Sequence, residues 1–410
     1  MRKKTILVLG VGAQGSTVAK RMNEEPNVEK IICADYDEKA VRTLVNELDK
    51  AVGIRIDAHD KASIVAAAKG VDLIVNGLPH ECHENVLEAA LEVKANYQDF
   101  NATDALHEDW IESIKMLYDD YGPRFKAINK TALIATGSAP GLICAATRKA
   151  VQYLDTCDTI YNMAFEGVEA KRFLPFWWSP ITALLDMEER PYAVENGELV
   201  RTEPFGLPVT RDYDYMGLDH PVTLSEHCHD EPVHYWFNKD TFFKGVKTVY
   251  FKYGGAGVEF AKTLYRAGLL SRTPELVDGT EVTPFDLVLK HIPPAPKYKE
   301  EIQEILKEGL VTDTGCMVVE AYGKKDGKDV MVEIHVFAPG LTESFERAGL
   351  TAEMYLTGQG GALFTKMLVN DIFHQHGLIS SDMLTYEQVD YYFETAKELG
   401  IELQINIKEM

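Results

Sequence analysis

Three glycines near the amino terminus have a spacing that suits phosphate binding. Gly10, Gly12 and Gly15 follow an apolar, strand-like run over residues 6–9, and a helical pattern begins directly after them. Gly10 permits a tight turn, Gly12 lets the backbone approach a pyrophosphate, and Gly15 lets the helix pack closely on the strand. The N–H groups at the start of that helix then face the anion. The pattern predicts a dinucleotide-binding corner, and a glycine turn in a ligand-free α/β domain is the alternative.

A carboxylate at the end of the second predicted strand favours one form of the cofactor. Asp35 lies twenty positions beyond Gly15, after an apolar run over residues 30–34, where an acidic side chain holds the ribose 2′-hydroxyl. Tyr36 and Asp37 follow, without a basic side chain for a 2′-phosphate. Because a carboxylate repels that phosphate, NAD is predicted over NADP. The further positions predicted to contact the cofactor are Ala13, Gln14, Asp57, Asn76, Gly77, Pro79, Gly137 and Pro140.

Two histidines follow the fourth predicted strand, at the sheet edge where the nicotinamide end of such a cofactor lies. Imidazole titrates near neutrality and suits proton transfer coupled to hydride transfer, so His80 and His83 are predicted to act in catalysis or substrate contact. Helix capping or packing is the alternative for both. Asp99, at the end of the fifth predicted strand, is predicted to hold a substrate amine or to orient a histidine. A structural hydrogen bond is its alternative role.

Neither histidine-rich segment has the spacing of a metal site. His80 and His83 lie closer together than the two histidines of a HExxH zinc motif, and no third ligand is identifiable. In the second segment, strand alternation sends His227 and His229 to one side and Cys228 to the other. No metal is predicted, and the second segment is expected to form a solvated or substrate-facing edge.

Strands and helices alternate along the first third of the chain, which predicts a doubly wound parallel sheet. Later residues form strands separated by longer connections, with predicted strands at 160–165, 233–237 and 248–253 and a hairpin over 316–337 around an Asp-Gly turn. The predicted fold is an α/β Rossmann sheet plus an inserted α+β domain with a mainly antiparallel sheet. The predicted domains are 1–150 for the dinucleotide, 151–353 for the substrate, and 354–410 as a C-terminal segment that returns to the first domain.

Composition argues against several classes of partner. The chain of 410 residues has a formal charge of −22, so it lacks the basic surface that nucleic acids and anionic lipids require. No stretch approaches the roughly twenty apolar residues of a membrane helix. The six cysteines are scattered without CxxC pairs, which predicts a reducing, cytoplasmic setting and no disulfide framework.

A second glycine-rich corner makes the pattern more specific. Gly137, Pro140 and Gly141 form a GxxPG motif after the sixth predicted strand, and Pro79 and His83 form a PxxxH motif after the fourth. With the first glycine motif they resemble the saccharopine dehydrogenase family, and further similarities lie at residues 231–233, 252–255, 283–284 and 357–358. The resemblance implies NAD(P)-dependent chemistry at carbon–nitrogen bonds, a Rossmann domain completed by C-terminal elements, and a homodimer formed through the inserted sheet.

The resemblance also implies what the second domain must supply. Oxidation of an amino acid or opine needs a cation for each substrate carboxylate and a base for the amine proton. The candidate cations are Lys171, Arg172, Arg211 and Lys252, the last because relatives have a basic residue there. Trp178 is expected to line an aliphatic substrate chain. Surface charge is the alternative for the basic residues, and core or dimer packing is the alternative for the tryptophan.

The predicted activity is NAD-dependent oxidation of an amine of an amino acid or opine to an imine, or the reverse reaction. A saccharopine-type or lysine-type substrate ranks above carboxynorspermidine. One alternative is a homospermidine-synthase-like transferase, which borrows and returns a hydride without net use of NAD. Another is a non-enzymatic protein that binds NAD and responds to its redox state. Two departures from many relatives, Ala139 for an aspartate and His80 for an aromatic residue, leave the substrate open.

Overall fold

The chain folds into two units, which the computed structural model describes for residues 2–101, 103–212 and 221–410. The first unit comprises Met1–Gln152 and Leu356–Leu399. The second comprises Tyr153–Tyr355 and Gly400–Met410.

The secondary structure of the described residues is dense in both units. The strands are β1 (Lys4–Leu9), β2 (Val28–Asp35), β3 (Ala51–Arg55), β4 (Leu73–Asn76), β5 (Asn96–Asp99), β6 (Thr131–Ile134), β7 (Thr156–Glu166), β8 (Glu169–Ala170), β9 (Tyr192–Glu195), β10 (Glu198–Arg201), β11 (Val209–Arg211), β12 (Val222–Glu226), β13 (Thr248–Gly255), β14 (Glu275–Val277), β15 (Thr280–Val282), β16 (Leu310–Thr312), β17 (Gly315–Lys325), β18 (Lys328–Phe337), β19 (Gly377–Ser380) and β20 (Glu402–Glu409).

The helices connect these strands. They are α1 (Ala13–Glu24), α2 (Glu38–Val45), α3 (Lys61–Ala67), α4 (His83–Val93), α5 (Trp110–Met116), α6 (Gly122–Ala127), α7 (Leu142–Gln152), α8 (Pro180–Glu188), α9 (Glu231–Phe242), α10 (Ala256–Arg266), α11 (Pro284–His291), α12 (Lys299–Glu308), α13 (Leu341–Ala348), α14 (Ala352–Val369) and α15 (Tyr386–Ala396). Short 3₁₀ turns cover His80–Cys82, Ser381–Met383 and Lys397–Leu399, and a π-helical turn covers Leu117–Tyr121. No helix among the described residues combines the length and apolar character needed to cross a membrane.

The first unit is built on a seven-stranded parallel sheet in the order β19-β6-β5-β4-β1-β2-β3. Strands β4 and β6 are buried at every residue, as expected for parallel strands covered on both faces. Asp37, Asp60 and Asp109 start α2, α3 and α5, because each carboxylate accepts backbone N–H groups of the first helical turn. The doubly wound sheet predicted from the sequence is confirmed.

The carboxyl-terminal part of the first unit is bonded to the middle of its sheet. Gln98 on β5 donates from Nε2 to the carbonyl of Gly361 on α14 at 2.9 Å and accepts from Thr365 Oγ1 at 2.8 Å. Strand β19 extends the sheet by pairing with β6. The buried Gln98 amide group thus both donates and accepts a hydrogen bond. These bonds hold together two segments that lie far apart in the chain.

The second unit contains a nine-stranded sheet with the path β10-β9-β13-β7-β17-β18-β20, and β12 pairs with both β11 and β13. Only the β7–β13 pair among these described strands is parallel. The β17–β18 hairpin turns at Asp326 and Gly327, whose φ angles of 51° and 78° are those of a two-residue hairpin turn. The predicted α+β domain with a mainly antiparallel sheet, including this hairpin, is confirmed.

One predicted strand of the second unit is wrong. Residues 233–237 lie within α9, which begins at Glu231 with Pro232 in its first turn. The buried positions Glu231, His234, Tyr235 and Asn238 recur at helical spacing. Because several of them are polar, the helical period is invisible in a purely apolar pattern.

The tail does not return to the first unit along its whole length. Residues 400–410 lie in the second unit, where β20 pairs antiparallel with β18 over eight residues. Leu403, Ile405 and Ile407 alternate with polar residues, so the segment suits an edge strand whose backbone groups bond to β18. The prediction that residues 354–410 return to the first unit is therefore wrong for residues 400–410.

Candidate functional site

The glycine corner of the first unit has the backbone geometry of a phosphate cradle. Gly10 has a φ of +79°, and a Cβ there would lie 2.7 Å from the carbonyl oxygen of Gly77. A Cβ at Gly15 would lie 1.9 Å from the carbonyl oxygen of Gly10, so only glycine fits. A Cβ at Gly12 would meet nothing within 4 Å. The corner is therefore closed towards the sheet and open at Gly12.

Helix α1 starts at this open side without a side-chain cap. Gly12 is its N-cap, and no side chain bonds to the first N–H groups. Ala13 and Gln14 form the first turn and are half-buried. A helix with uncapped N–H groups next to an open glycine is able to bind a pyrophosphate.

Asp35 is fixed at the carboxyl end of β2 by two backbone groups. Its Oδ2 accepts from the N–H of Val11 at 2.8 Å, and its Oδ1 accepts from the N–H of Asp37 at 3.0 Å. Each carboxylate oxygen has a second lone pair, which leaves room for ribose hydroxyls. Asp57, by contrast, is exposed beyond β3, where it accepts from the N–H of His59 at 3.0 Å.

A basic residue stands beside Asp35 although none follows it in sequence. Arg55 is the partner of Asp35 in the β2–β3 pairing, and its Nε donates to the carbonyl of Tyr36 at 3.2 Å. Its position is not predictable from local sequence, because strand pairing brings it there from twenty residues away. The corner thus combines a carboxylate with an exposed guanidinium.

The loop after β4 is held by internal hydrogen bonds. The Asn76 side chain donates to the Tyr97 hydroxyl at 3.0 Å and accepts from the N–H of Leu78 at 3.2 Å. A Cβ at Gly77 would lie 3.2 Å from the carbonyl oxygen of Leu9, so this loop also packs on the glycine corner. Pro79 is exposed and precedes the 3₁₀ turn.

The two predicted catalytic histidines have different environments. His83 is buried at the start of α4, where its Nε2 donates to the carbonyl of Leu78 at 3.1 Å. Burial lowers the pKa of His83, which keeps the ring neutral. His80 is exposed, with Nδ1 3.7 Å from an oxygen of Glu81. His83 thus fastens the loop, whereas His80 is free to reach a ligand.

The second glycine corner joins the ends of β5 and β6. Asp99 is buried there, and its Oδ1 accepts from the N–H of Ala135 at 3.0 Å. Gly141 has a φ of +137°, and a Cβ there would lie 2.1 Å from the carbonyl oxygen of Gly137. Pro140, between them, is buried. The structure therefore brings Asp99 next to the Gly137 corner.

Two predicted substrate cations of the second unit lie at the surface. Lys171 bonds through its backbone N–H to the carbonyl of Gly309 at 3.1 Å, and its side chain is exposed. Arg172 is exposed and forms an ion pair with Glu308. Pairing of this kind is typical of solvated surface charge.

Lys252 is, instead, almost completely buried. Its side chain is on the face of β13 that also bears Tyr250, with Nζ 4.9 Å from the centre of that ring, and the residue is 1% exposed. Nζ donates to the carbonyl of Leu207 at 2.7 Å. Burial lowers the pKa of Lys252 to about 8, although nearby Glu226 opposes the shift. The remaining candidate, Arg211, donates two hydrogen bonds to the carboxylate of Glu320, at 2.7 and 2.8 Å.

Trp178 belongs to a different cluster, at the carboxyl end of β7. Burial raises the pKa of Glu166 to about 6, although the Tyr253 hydroxyl and the Trp178 side chain, which face its carboxyl group, oppose the shift. Tyr253 and Lys252 are consecutive strand residues and point to opposite faces. The structure therefore separates Trp178 from Lys252. Trp177 is a core residue whose indole donates to the carbonyl of Val168 at 2.8 Å.

The second histidine segment lies beside Tyr253. His227 and His229 share one side, as alternation predicts, with ring centres 5.9 Å apart. The His227 ring centre is 4.8 Å from that of Tyr253, and the His229 ring stacks on Phe251 at 4.0 Å. His227 is buried, so the segment is not a solvated edge.

Comparison with known proteins identifies the first unit. Residues 6–133 match the family model of the saccharopine dehydrogenase NADP-binding domain. The first unit therefore contains a domain of this type. The resemblance predicted from the sequence is thereby confirmed for this domain, and its description supports a nicotinamide cofactor.

This chain shares its architecture with a solved structure. It is similar to the apo saccharopine dehydrogenase (L-Glu forming) from Saccharomyces cerevisiae, with a TM-score of 0.71, 14% identity, and coverage of 99% of this chain and 100% of the yeast chain. It is also similar to an amine dehydrogenase from Mycobacterium smegmatis, with a TM-score of 0.47, 10% identity, and coverage of 93% and 96%. At these identities the likeness is one of fold.

Sequence reasoning missed three polar residues of the second unit. Glu166, Tyr253 and Glu353 act on one another in the second unit, although they lie far apart in the chain. The sequence shows one sign of such a site, the Gly254–Gly255 pair at the end of a predicted strand. Glycines at a strand end accompany close approach of a ligand or another backbone.

Proposed function

We propose that this protein is an NAD-dependent dehydrogenase that acts at the carbon–nitrogen bond of an amine-bearing amino acid or opine. The observation that carries the proposal is the Asp35 carboxylate, bonded at 2.8 Å to the N–H of Val11 within the glycine corner. A carboxylate at that position accepts ribose hydroxyls and repels a 2′-phosphate.

The residues of the first unit fit a dinucleotide. A Cβ at Gly12 would meet nothing within 4 Å, whereas a Cβ at Gly10 or Gly15 would overlap neighbouring backbone atoms. The corner therefore has room for a pyrophosphate on the Gly12 side only. The α1 N–H groups would bind the phosphates and Asp35 the adenosine ribose. The bound nicotinamide supplies hydride transfer. Gly137 and the loop bearing His80 would orient its ring, and His80 is the exposed group that would move a proton.

The specific experiment is a cofactor and substrate screen with purified protein. Amino acids, opines and polyamines are offered with NAD or NADP, and NADH or NADPH formation is followed by absorbance. Net NADH from an amine supports the dehydrogenase and contradicts a hydride-returning transferase. The absence of binding heat for both nicotinamide cofactors in calorimetry would overturn the proposal.

A matched pair of variants tests the residue that carries the proposal. Asp35→Ala removes the ribose carboxylate and is expected to raise the Kd for NAD at least tenfold. Asp49→Ala makes the same change at an exposed position and is expected to leave the Kd unchanged. Equal Kd values in the two variants would contradict the role of Asp35.

We also propose a cytoplasmic homodimer. Support comes from the family resemblance and from the described cysteines, which are buried and form no disulfide: Cys33, Cys82, Cys144, Cys157 and Cys228. Sedimentation analysis of the purified protein tests the dimer, since a monomer at micromolar concentration would contradict it.

A further inference from the structure

Tyr97 on β5 is a fully buried tyrosine in the middle of the first sheet. The residue is 0% exposed, and its ring centre lies 6.5 Å from that of Phe125. In the β4–β5 pairing, Ile74 is the partner of Tyr97 and Asn76 is the partner of Asp99. Because side chains two positions apart on a strand share a face, Tyr97, Asn76 and Asp99 lie on one face of the sheet.

The Tyr97 hydroxyl is bonded to the loop after β4. It accepts from Asn76 Nδ2 at 3.0 Å, and Asn76 Oδ1 accepts from the N–H of Leu78 at 3.2 Å. The Leu78 carbonyl in turn accepts from His83 Nε2 at 3.1 Å. A buried side chain of the sheet is thus connected, through two short bonds, to the loop that bears His80.

The same hydroxyl faces the second glycine corner through Asp99. A phenol that accepts one hydrogen bond still has its own proton to donate, and the Asp99 carboxylate is the acceptor that it faces. Burial first, and then the charge of Asp99, hold the pKa of Tyr97 well above its usual value, so the hydroxyl keeps that proton. Oδ1 of Asp99 accepts from the N–H of Ala135 at 3.0 Å.

The backbone that Asp99 holds is in an unfavourable conformation. Ala135 has a φ of 59°, in the left-handed region that residues with a Cβ rarely adopt. The backbone carbonyl of Asp99 also accepts from the N–H of Thr136 at 3.2 Å and from its Oγ1 at 2.5 Å. A residue in such a conformation needs its surroundings to fix it. Since Gly137 follows directly, the position of the second glycine corner depends on Asp99.

We propose that Tyr97 is a positioning residue for hydride transfer, because its hydroxyl joins the loop of His80 to the Gly137 corner and so keeps the nicotinamide ring in one orientation. This inference rests on the proposed function and deepens it. Tyr97 is fully buried, so it acts through Asn76 and Asp99 and does not contact the cofactor. Two loops bonded to one rigid group lose less conformational freedom when the ring binds.

The test compares NADH with ADP-ribose, which has the same phosphates and riboses but no nicotinamide, by calorimetric titration of the purified protein. Wild type is expected to bind NADH about tenfold more tightly than ADP-ribose. Tyr97→Phe removes only the hydroxyl and should lower this ratio about fivefold, with the Kd for ADP-ribose unchanged. Tyr121→Phe is the matched control, because Tyr121 is also buried and its hydroxyl donates to Glu88 at 3.0 Å. The control should leave the ratio unchanged.

A second variant tests whether Tyr97 acts through Asn76. Asn76→Ala breaks the same connection, so adding Tyr97→Phe to it should lower the ratio no further, whereas independent effects would multiply. Multiplied effects would contradict the connection. Thermal unfolding of every variant is measured alongside, since a purely structural role would lower stability without changing the ratio of the two Kd values.

The outcomes separate the two proposals. Equal affinity of wild type for NADH and ADP-ribose, or an unchanged ratio in Tyr97→Phe, would overturn the positioning role. An equal loss of affinity for both ligands in Tyr97→Phe would show a general disturbance of the unit and would also contradict it. Failure of wild type to bind either ligand would instead refute the proposed function.

Discussion

The Oδ2 atom of Asp35 accepts a hydrogen bond from the backbone N–H of Val11 at 2.8 Å. This bond connects the end of β2 with the glycine corner after β1, so the carboxylate that we propose to bind ribose keeps a fixed separation from that corner. Because β1 and β2 are paired in register from Thr5 to Leu9, the sheet itself sets that separation. Preorganisation of this kind reduces the entropy lost when a ligand binds.

Asp35 and Arg55 are expected to have opposite effects on the choice between NAD and NADP. Asp35→Ser removes the repulsion of a 2′-phosphate while Arg55 remains, so we expect the preference for NAD over NADP to fall at least tenfold. Arg55→Ala is expected to weaken NADP binding and to leave NAD nearly unchanged. Kd values for both cofactors, measured by fluorescence titration, check the pair. An equal effect of Arg55→Ala on the two cofactors would show that this guanidinium does not distinguish them.

Substitutions at Gly12 and Gly15 are expected to affect cofactor binding and the stability of the fold differently. Gly12→Ala adds a methyl group in open space and should change the free energy of unfolding by less than about 0.5 kcal/mol, but weaken NAD binding at least tenfold. Gly15→Ala places a methyl group 1.9 Å from the Gly10 carbonyl oxygen and should destabilise the fold by about 2 kcal/mol or more. Urea unfolding and NAD titration of both variants test this contrast. Equal losses of stability would contradict the described packing.

Much of the first unit is predictable from sequence, because parallel strands and glycine turns are local patterns. The strand over 73–76 and the glycine roles follow from such patterns. Arg55 does not, since its position beside Asp35 depends on strand pairing. Glu166 and Glu353 meet only after the second unit has folded, and neither stands in a recognisable motif. Helix α9 was not predicted from the sequence, because polar residues form part of its buried face.

His83 and His80 are expected to respond differently to substitution. His83→Ala removes the bond to the Leu78 carbonyl and leaves a small cavity, so the free energy of unfolding should fall by about 1–3 kcal/mol. His80→Ala removes an exposed side chain and should leave stability unchanged. Any loss of kcat in His80→Ala then reflects its chemical role. Thermal unfolding beside steady-state kinetics measures both effects, and an unchanged kcat would exclude His80 as the proton carrier.

The attachment of β20 makes the second unit sensitive to acid. Glu333 on β18 accepts from His335 Nε2 at 2.8 Å and from Asn406 on β20 at 3.0 Å, with Lys408 at 3.4 Å. His335 first, then Asn406 and Lys408, lower the pKa of Glu333 to about 2 against the opposing effect of burial. The carboxylate therefore contributes stability that is complete above its ordinary pKa of about 4.5 and is lost as the pH falls from 4.5 towards 2.

Glu333→Gln is consequently expected to remove part of this acid dependence. The variant should be less stable than wild type by about 2 kcal/mol at pH 7, after allowance for solvent screening, and the gap should narrow progressively as the pH falls from about 4.5 towards 2. Glu402→Gln, at an exposed position of β20, is the matched control and should follow the wild-type curve. Urea unfolding between pH 2.5 and 7 measures the three curves. A constant gap between wild type and Glu333→Gln across this range would show that the carboxylate does not titrate with folding.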